Sequence, residues 1–116
     1  MNALEPSVDF YANVMGFDNE GSRDGPYTAM RVNDGFTVNL APYGSKVSEH
    51  LAFSMSRDAF DGVFARVKAR RIPYGSSWNN VGSNTGPGEE DGARGLAATV
   101  YFYDPSNHLI EIRCYD

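Results

Sequence analysis

Glu111 and Arg113 stand two residues apart near the end of the chain, interleaved with Ile110, Ile112 and Cys114. In an extended strand that spacing sends Leu109, Glu111, Arg113 and Tyr115 to one face and the three apolar residues to the other. The apolar face reads as packing against a helix. A carboxylate inside a protein is costly unless it is paired, so burial of Glu111 calls for a metal or an arginine. Arg113 can be that arginine, and on its own it offers a planar guanidinium for an anion. The two together predict a polar cavity.

The elements around them must come from 116 residues, enough for one domain and one modest core. Hydrophobic residues make up 41% and charged residues 22%, which is ordinary for a globular chain and excludes wholesale disorder. Ten basic residues against 15 acidic ones leave a net charge of −5 and a pI near 4.9. A nucleic-acid binder needs a basic patch to replace counterions, so that class is excluded. The single cysteine rules out an internal disulfide framework and a cysteine-rich zinc ribbon. No apolar run reaches membrane-spanning length and no signal segment opens the chain, so a cytoplasmic setting is expected. Aromatic residues reach 13%, which suits a core or a small-molecule cleft.

Val8, Tyr11, Ala12 and Met15 recur at i, i+3, i+4 and i+7. Residues 6–15 are therefore predicted as a short amphipathic helix, with Pro6 at its first position and Gly16 just past its end. Strands are expected near 17–23, at 27–32 and at 36–40, the last two around the turn signal Asn33-Asp34-Gly35. A further strand covers 50–55. Phe60, Val63, Phe64 and Val67 then mark the clearest helix, 58–70, capped by Ser56 or Asp58 and stopped before Pro73. Its basic end (Arg66, Lys68, Arg70, Arg71) suits the helix dipole and is a solvated face. Residues 72–78 are predicted as a strand and 79–94 as a long Gly/Asn/Glu loop that could serve as a lid. Residues 97–103 and 109–115 form the last two strands, joined by Asp104-Pro105-Ser106-Asn107-His108, turn chemistry throughout.

Two helices, each followed by about three strands, form an internal repeat. Module 1 covers about residues 1–45 and module 2 about 46–116, within a single domain spanning 1–116. The second copy has a strand before its helix. The first is expected to lack that leading strand, because the helix starts a few residues after Met1.

Three stretches resemble the vicinal oxygen chelate superfamily, which includes glyoxalase I, extradiol dioxygenases, fosfomycin-resistance thiol transferases and bleomycin-resistance proteins. They are Pro6-Ser7-Val8-Asp9-Phe10-Tyr11 with Gly16-Phe17, then Glu49-His50-Leu51-Ala52-Phe53, and above all the closing Val100-Tyr101-Phe102-Tyr103-Asp104-Pro105-Ser106-Asn107-His108-Leu109-Ile110-Glu111-Ile112. The resemblance implies an α+β fold of paired βαβββ modules forming a curved mixed sheet around a cleft, here with the first strand of the first module missing. It implies that His50 and Glu111 are metal ligands, Glu111 being also the catalytic carboxylate. Imidazole with carboxylate suits Zn, Fe, Mn or Ni, and open coordination positions let a metal polarise a substrate oxygen. Tyr101 matches a substrate-contacting tyrosine of the fosfomycin enzymes, and His108 a structural position in the turn.

Departures from the pattern are equally specific. The ligand of the missing strand has no counterpart, and Asn39 stands where glyoxalase-like members carry a glutamate. His50 and Glu111 alone fall short of the three good ligands of catalytic zinc. Residues 86–94 offer no potassium loop, which argues against fosfomycin transfer. Two functions fit. One is a divalent-metal-dependent enzyme acting on a small oxygen-rich substrate, positioned by Tyr43, Trp78, Tyr101 and Arg113. The other is a metal-free protein of the bleomycin-resistance type, whose acidic, aromatic cleft sequesters a cationic drug or metabolite. An unpaired sheet edge in module 1 predicts a homodimer.

Overall fold

The computed structural model describes residues 4–24, 27–33, 36–40, 49–92 and 95–115. By contacts the chain divides into two compact units, Met1–Val47 and Ser48–Asp116. Both combine helix and strand, as the α+β expectation requires.

The first unit runs α1 (Leu4–Asn13), β1 (Asp18–Asp24), β2 (Tyr27–Asn33) and β3 (Phe36–Leu40), with an antiparallel sheet in the order β1-β2-β3. Helix α1 begins two residues earlier than the sequence suggests, so Pro6 sits inside its first turn. No cost follows, since the first amide groups of a helix have no intrahelical acceptor. Gly16 closes the helix at φ +81°, and Phe17 N–H donates to the Tyr11 carbonyl at 2.9 Å. A glycine at positive φ just past the last turn is a common way for a helix to end. Phe10, Tyr11, Val14, Met15 and Met30 are buried, and the Tyr11 and Phe17 rings stack.

The second unit runs β4 (His50–Ser54), α2 (Arg57–Ala69), β5 (Tyr74–Gly75), β6 (Gly88–Gly92), β7 (Gly95–Tyr103) and β8 (Leu109–Cys114). Its sheet is mixed, in the order β4-β8-β7-β5, with β6 also on β7. Strands β4 and β8 are parallel, and α2 lies in the long crossover that parallel pairing demands. Ser56 caps α2, its Oγ accepting from Ala59 N–H at 3.2 Å. Phe60, Val63, Phe64 and Val67 are its buried stripe, and the helix packs on β8, where Ile110, Ile112 and Cys114 are buried. The turn before β8 is held by Asp104, whose Oδ1 accepts from Ser106 and His108 N–H. His108 Nδ1 in turn accepts from Glu49 N–H at 2.9 Å, tying the start of β4 to the hairpin.

Two expectations need correction. The strand foreseen over 72–78 is only Tyr74–Gly75, and the long loop foreseen over 79–94 contains a strand, β6, that carries Glu89, Glu90 and Asp91. Both β5 and β6 run antiparallel to β7, Gly75 opposite Tyr101 and Gly88 opposite Thr99. They are one edge lane interrupted by residues 76–87. Asn80 ties the interruption together, accepting from Ser77 N–H at 2.9 Å and donating to Ser76 Oγ at 2.8 Å. A Cβ on Gly88 would lie 2.6 Å from the Ser76 carbonyl oxygen, so the lane closes only with glycine there.

Candidate functional site

Strand pairing places the functional side chains in one patch. On β8 the residues at 109, 111 and 113 share a face, as period-two alternation requires. Parallel pairing aligns Ala52 with Glu111, which puts His50 and Ser54 on that same face from β4. Antiparallel pairing sets Tyr101 opposite Glu111 and Thr99 opposite Arg113 from β7. Glu90 pairs with Ala97, so its side chain joins the face from β6. Four strands thus contribute His50, Glu111, Arg113, Tyr101 and Glu90.

The contacts are direct. His50 Nε2 lies 2.9 Å from Glu111 Oε1. Arg113 Nη1 donates to the other oxygen, Oε2, forming an ion pair. Arg113 Nη2 donates to the Glu90 carbonyl at 3.1 Å, and the guanidinium lies 5.5 Å from the Tyr115 ring centre. The Tyr101 hydroxyl donates to Glu90 Oε1, and its ring is 5.9 Å from that of His50. Glu111 is 4% exposed and Arg113 10%, whereas His50 is half exposed. The patch therefore has a buried ionic floor and an imidazole at its open side. Among the described residues, Arg113 Nε is the buried side-chain polar atom left without a hydrogen-bond partner.

Electrostatics follow from that burial. Tyr101 has its pKa raised well above the ordinary phenol value, first by burial, then by its hydrogen bond to Glu90 and the charge of Glu111. It stays a neutral donor. Burial presses the Arg113 guanidinium towards neutrality, but its bonds to Glu111 and Tyr115 outweigh that, and its pKa lies above the usual value. The tyrosine makes a pH prediction. The folded protein keeps a proton that the unfolded chain releases near pH 10, so this contribution to stability is intact below about pH 10 and falls as pH rises beyond it. In an ultraviolet titration, one of the seven tyrosines should ionise only with unfolding, and Tyr101→Phe should abolish that late step.

Of the residues read from the sequence, His50, Glu111, Arg113 and Tyr101 come together. Trp78 does not join them; it stands 64% exposed in the 76–87 interruption. Tyr43 lies outside the described residues. Asn39 is on β3 in the first unit, opposite Ala29. Glu90 was missed as a partner of Tyr101. Its one signal was the acidic run Glu89-Glu90-Asp91, which Gly88 and Gly92 made look like loop.

As a donor set for a divalent metal, the patch offers one imidazole nitrogen and one carboxylate oxygen on facing strands, chemistry that such ions accept. No group of three or more His, Cys, Asp or Glu among the described residues is placed to hold a metal. The pair fits in kind and supplies two donors of the usual three.

The fold is shared with solved structures that include a glyoxalase, a fosfomycin resistance protein and ChaP oxidases, all members of the vicinal oxygen chelate superfamily. The chain is similar along its whole length to the oxidase ChaP-H2, at 23% identity and a TM-score of 0.76, covering 87% of that protein. It is similar over 97% of its length to an integron cassette protein from the mobile metagenome of V. cholerae, at 21% identity and TM-score 0.75, again covering 87% of that protein. A lactoylglutathione lyase from Agrobacterium tumefaciens matches 98% of the chain at 15% identity and TM-score 0.65, with 87% of the lyase covered. No protein-family profile matches the chain, and neither does the sequence of any curated protein. An oxidase and a lyase on one fold, at such identities, fix the architecture and leave the activity to the site. No helix among the described residues is long and apolar enough to cross a membrane.

Proposed function

We propose that the polar face of the second unit's sheet is a small-molecule site of the glyoxalase and dioxygenase kind, with His50 and Glu111 holding a divalent metal. The observation that carries this reading is the 2.9 Å approach of His50 Nε2 to Glu111 Oε1. Residues distant in sequence meet there as nitrogen and oxygen donors, one buried and one open to solvent. When bound, a divalent metal polarises a substrate oxygen or lowers the pKa of a proton next to it. The chain's own groups do the rest. Glu111 is held in place by its guanidinium partner, Tyr101 offers a hydroxyl that stays protonated, and the half-exposed His50 borders the opening through which a ligand enters.

The expected result is one Ni²⁺ or Zn²⁺ per chain in a calorimetric titration of chelator-treated protein. His50→Ala should weaken it at least about 100-fold, since even outer-shell changes cost about 10–100-fold. His50 is half exposed, so this variant should fold normally. Wild-type protein that takes up no metal would sink the reading.

The pairing of Arg113 with Glu111 favours a second reading, because it already neutralises the carboxylate that a metal would need. In that case the site is a metal-free binder. Glu90 and the aromatic rings would hold a cationic planar molecule, and thermal stabilisation by such a compound, without metal uptake, is its mark. The site is further proposed to belong to a homodimer. Sedimentation should then give twice the chain mass of 12.7 kDa, and a monomer at micromolar concentration would overturn that assembly.

A further inference from the structure

We infer that the groove beside the end of α2 is an anion site that takes a phosphate monoester carrying a flat ring, a molecule of mononucleotide size. It shares no residue with the sheet-face patch and stands independently of it.

Lys68, Arg71, Ile72, Tyr74 and Asn84 line a groove of about 440 Å³, within the range of about 300–1,000 Å³ usual for small-molecule sites. Read from the sequence, the basic end of α2 is a solvated face, yet two of its cations border this hollow. Neither Lys68 nor Arg71 is ion-paired with a carboxylate among the described residues. Lys68 Nζ lies 4.3 Å from the centre of the Phe64 ring, which in turn meets the Tyr74 ring edge-to-face with centres 5.1 Å apart. Asn84 adds a neutral donor. Its Oδ1 accepts from Tyr74 N–H at 3.1 Å, which fixes the amide and leaves Nδ2 without a partner among the described residues. Ile72 and Tyr74, both half-buried, supply the apolar wall.

The backbone at Arg71 points the same way. Ile72 N–H donates to the Val67 carbonyl and Arg71 N–H to the Lys68 carbonyl, each at 3.0 Å, the paired bonds that end a helix through one left-handed residue. That residue is usually glycine, but here it is Arg71, at φ +58°. A long side chain is strained in that region. What the arginine contributes is a second unpaired cation at the groove. The negative end of the α2 dipole, about half a charge, is blunted by those same bonds and outweighed by two full cations.

Two cations and an amide donor suit phosphate better than carboxylate. A phosphate monoester carries roughly 1.5–2 negative charges at neutral pH and three acceptor oxygens, whereas a carboxylate has one charge and two oxygens. The chain as a whole, at −5, repels such a ligand, so local unpaired cations decide where it settles.

The test is a calorimetric titration with AMP at low salt, run on wild type, Lys68→Ala and Arg71→Gly. Wild type should bind one AMP per chain, and each variant should weaken it at least about tenfold, the scale of one charge-assisted hydrogen bond. Glycine is the natural occupant of a left-handed helix end, so Arg71→Gly should melt no lower than wild type, and its loss of AMP cannot come from unfolding. Lys68 is exposed on the helix surface, which makes Lys68→Ala a second variant that keeps the fold. Adenosine and inorganic phosphate divide the ligand, and each should bind more weakly than AMP. Inorganic phosphate binding as tightly as AMP would overturn the ring-bearing ligand. No uptake of AMP by wild type at millimolar concentration, or an unchanged AMP affinity in either variant, would overturn the site itself. Metal uptake at the sheet-face patch involves neither Lys68 nor Arg71, so it should be the same in all three proteins whatever the outcome with AMP.

Discussion

Glu111→Ala should destabilise the protein by about 3 kcal/mol, because it strands a buried guanidinium. Removing one partner of a buried ion pair typically costs about 3–5 kcal/mol, most of it the penalty for the charge left behind. The lower end applies here. Arg113 keeps its bond to the Glu90 carbonyl at 3.1 Å and its place over the Tyr115 ring, so its solvation is not lost entirely. Glu111→Gln should cost less, since an amide oxygen still accepts from Arg113. The decisive comparison is Glu111→Leu combined with Arg113→Met. If burial of the lone charge is what hurts, the double variant is more stable than Glu111→Leu alone, a non-additivity on the order of 1–3 kcal/mol. Urea unfolding midpoints of wild type, Glu111→Leu, Arg113→Met and the double variant close the cycle. Strictly additive costs would show that the pair is not coupled, and the ionic floor of the site would lose its meaning.

That ion pair was readable from the sequence, and the reason is local. Glu111 and Arg113 are two residues apart on a strand whose alternation is unbroken, so their shared face needed no knowledge of the rest of the chain. Helix α2 was readable for the same reason, its four buried residues following the 3.6-residue period and Ser56 standing where a cap belongs. The meeting of His50 with Glu111 was not local. It depends on β4 lying parallel to β8, a pairing that no periodicity encodes, and only the resemblance of the two motifs brought them together. Strand β6 was hidden by its own composition. Gly-Glu-Glu-Asp-Gly has poor strand propensity, and the chain is extended there because β7 offers a partner edge. With β6 hidden, Glu90 was read as part of a loop, and its bond to Tyr101 could not be foreseen.

The support beneath the site predicts the other large effect: Phe60→Ala should cost about 4 kcal/mol. Phe60 is fully buried at the start of the α2 stripe, and its ring also carries the Arg57 guanidinium at 5.5 Å. Truncating a buried phenylalanine typically costs about 3–5 kcal/mol, through lost transfer energy and the cavity that remains. The consequence reaches the chemistry because β8 has two working faces. Its apolar face, Ile110 and Ile112, is fully buried on the side packed by α2, while Glu111 and Arg113 point the other way. A loosened helix lets β8 shift, and a binding constellation tolerates displacements of only about 0.5 Å. If the patch holds a metal as proposed, Phe60→Ala should therefore weaken its uptake as well as stability, although α2 packs on the opposite face of β8. Phe60→Leu, which refills most of the volume, should recover much of both. Urea midpoints and the calorimetric titration, run on the same preparations, decide the matter. A Phe60→Ala protein of lowered stability but wild-type metal affinity would show that the patch holds its geometry without the helix beneath it.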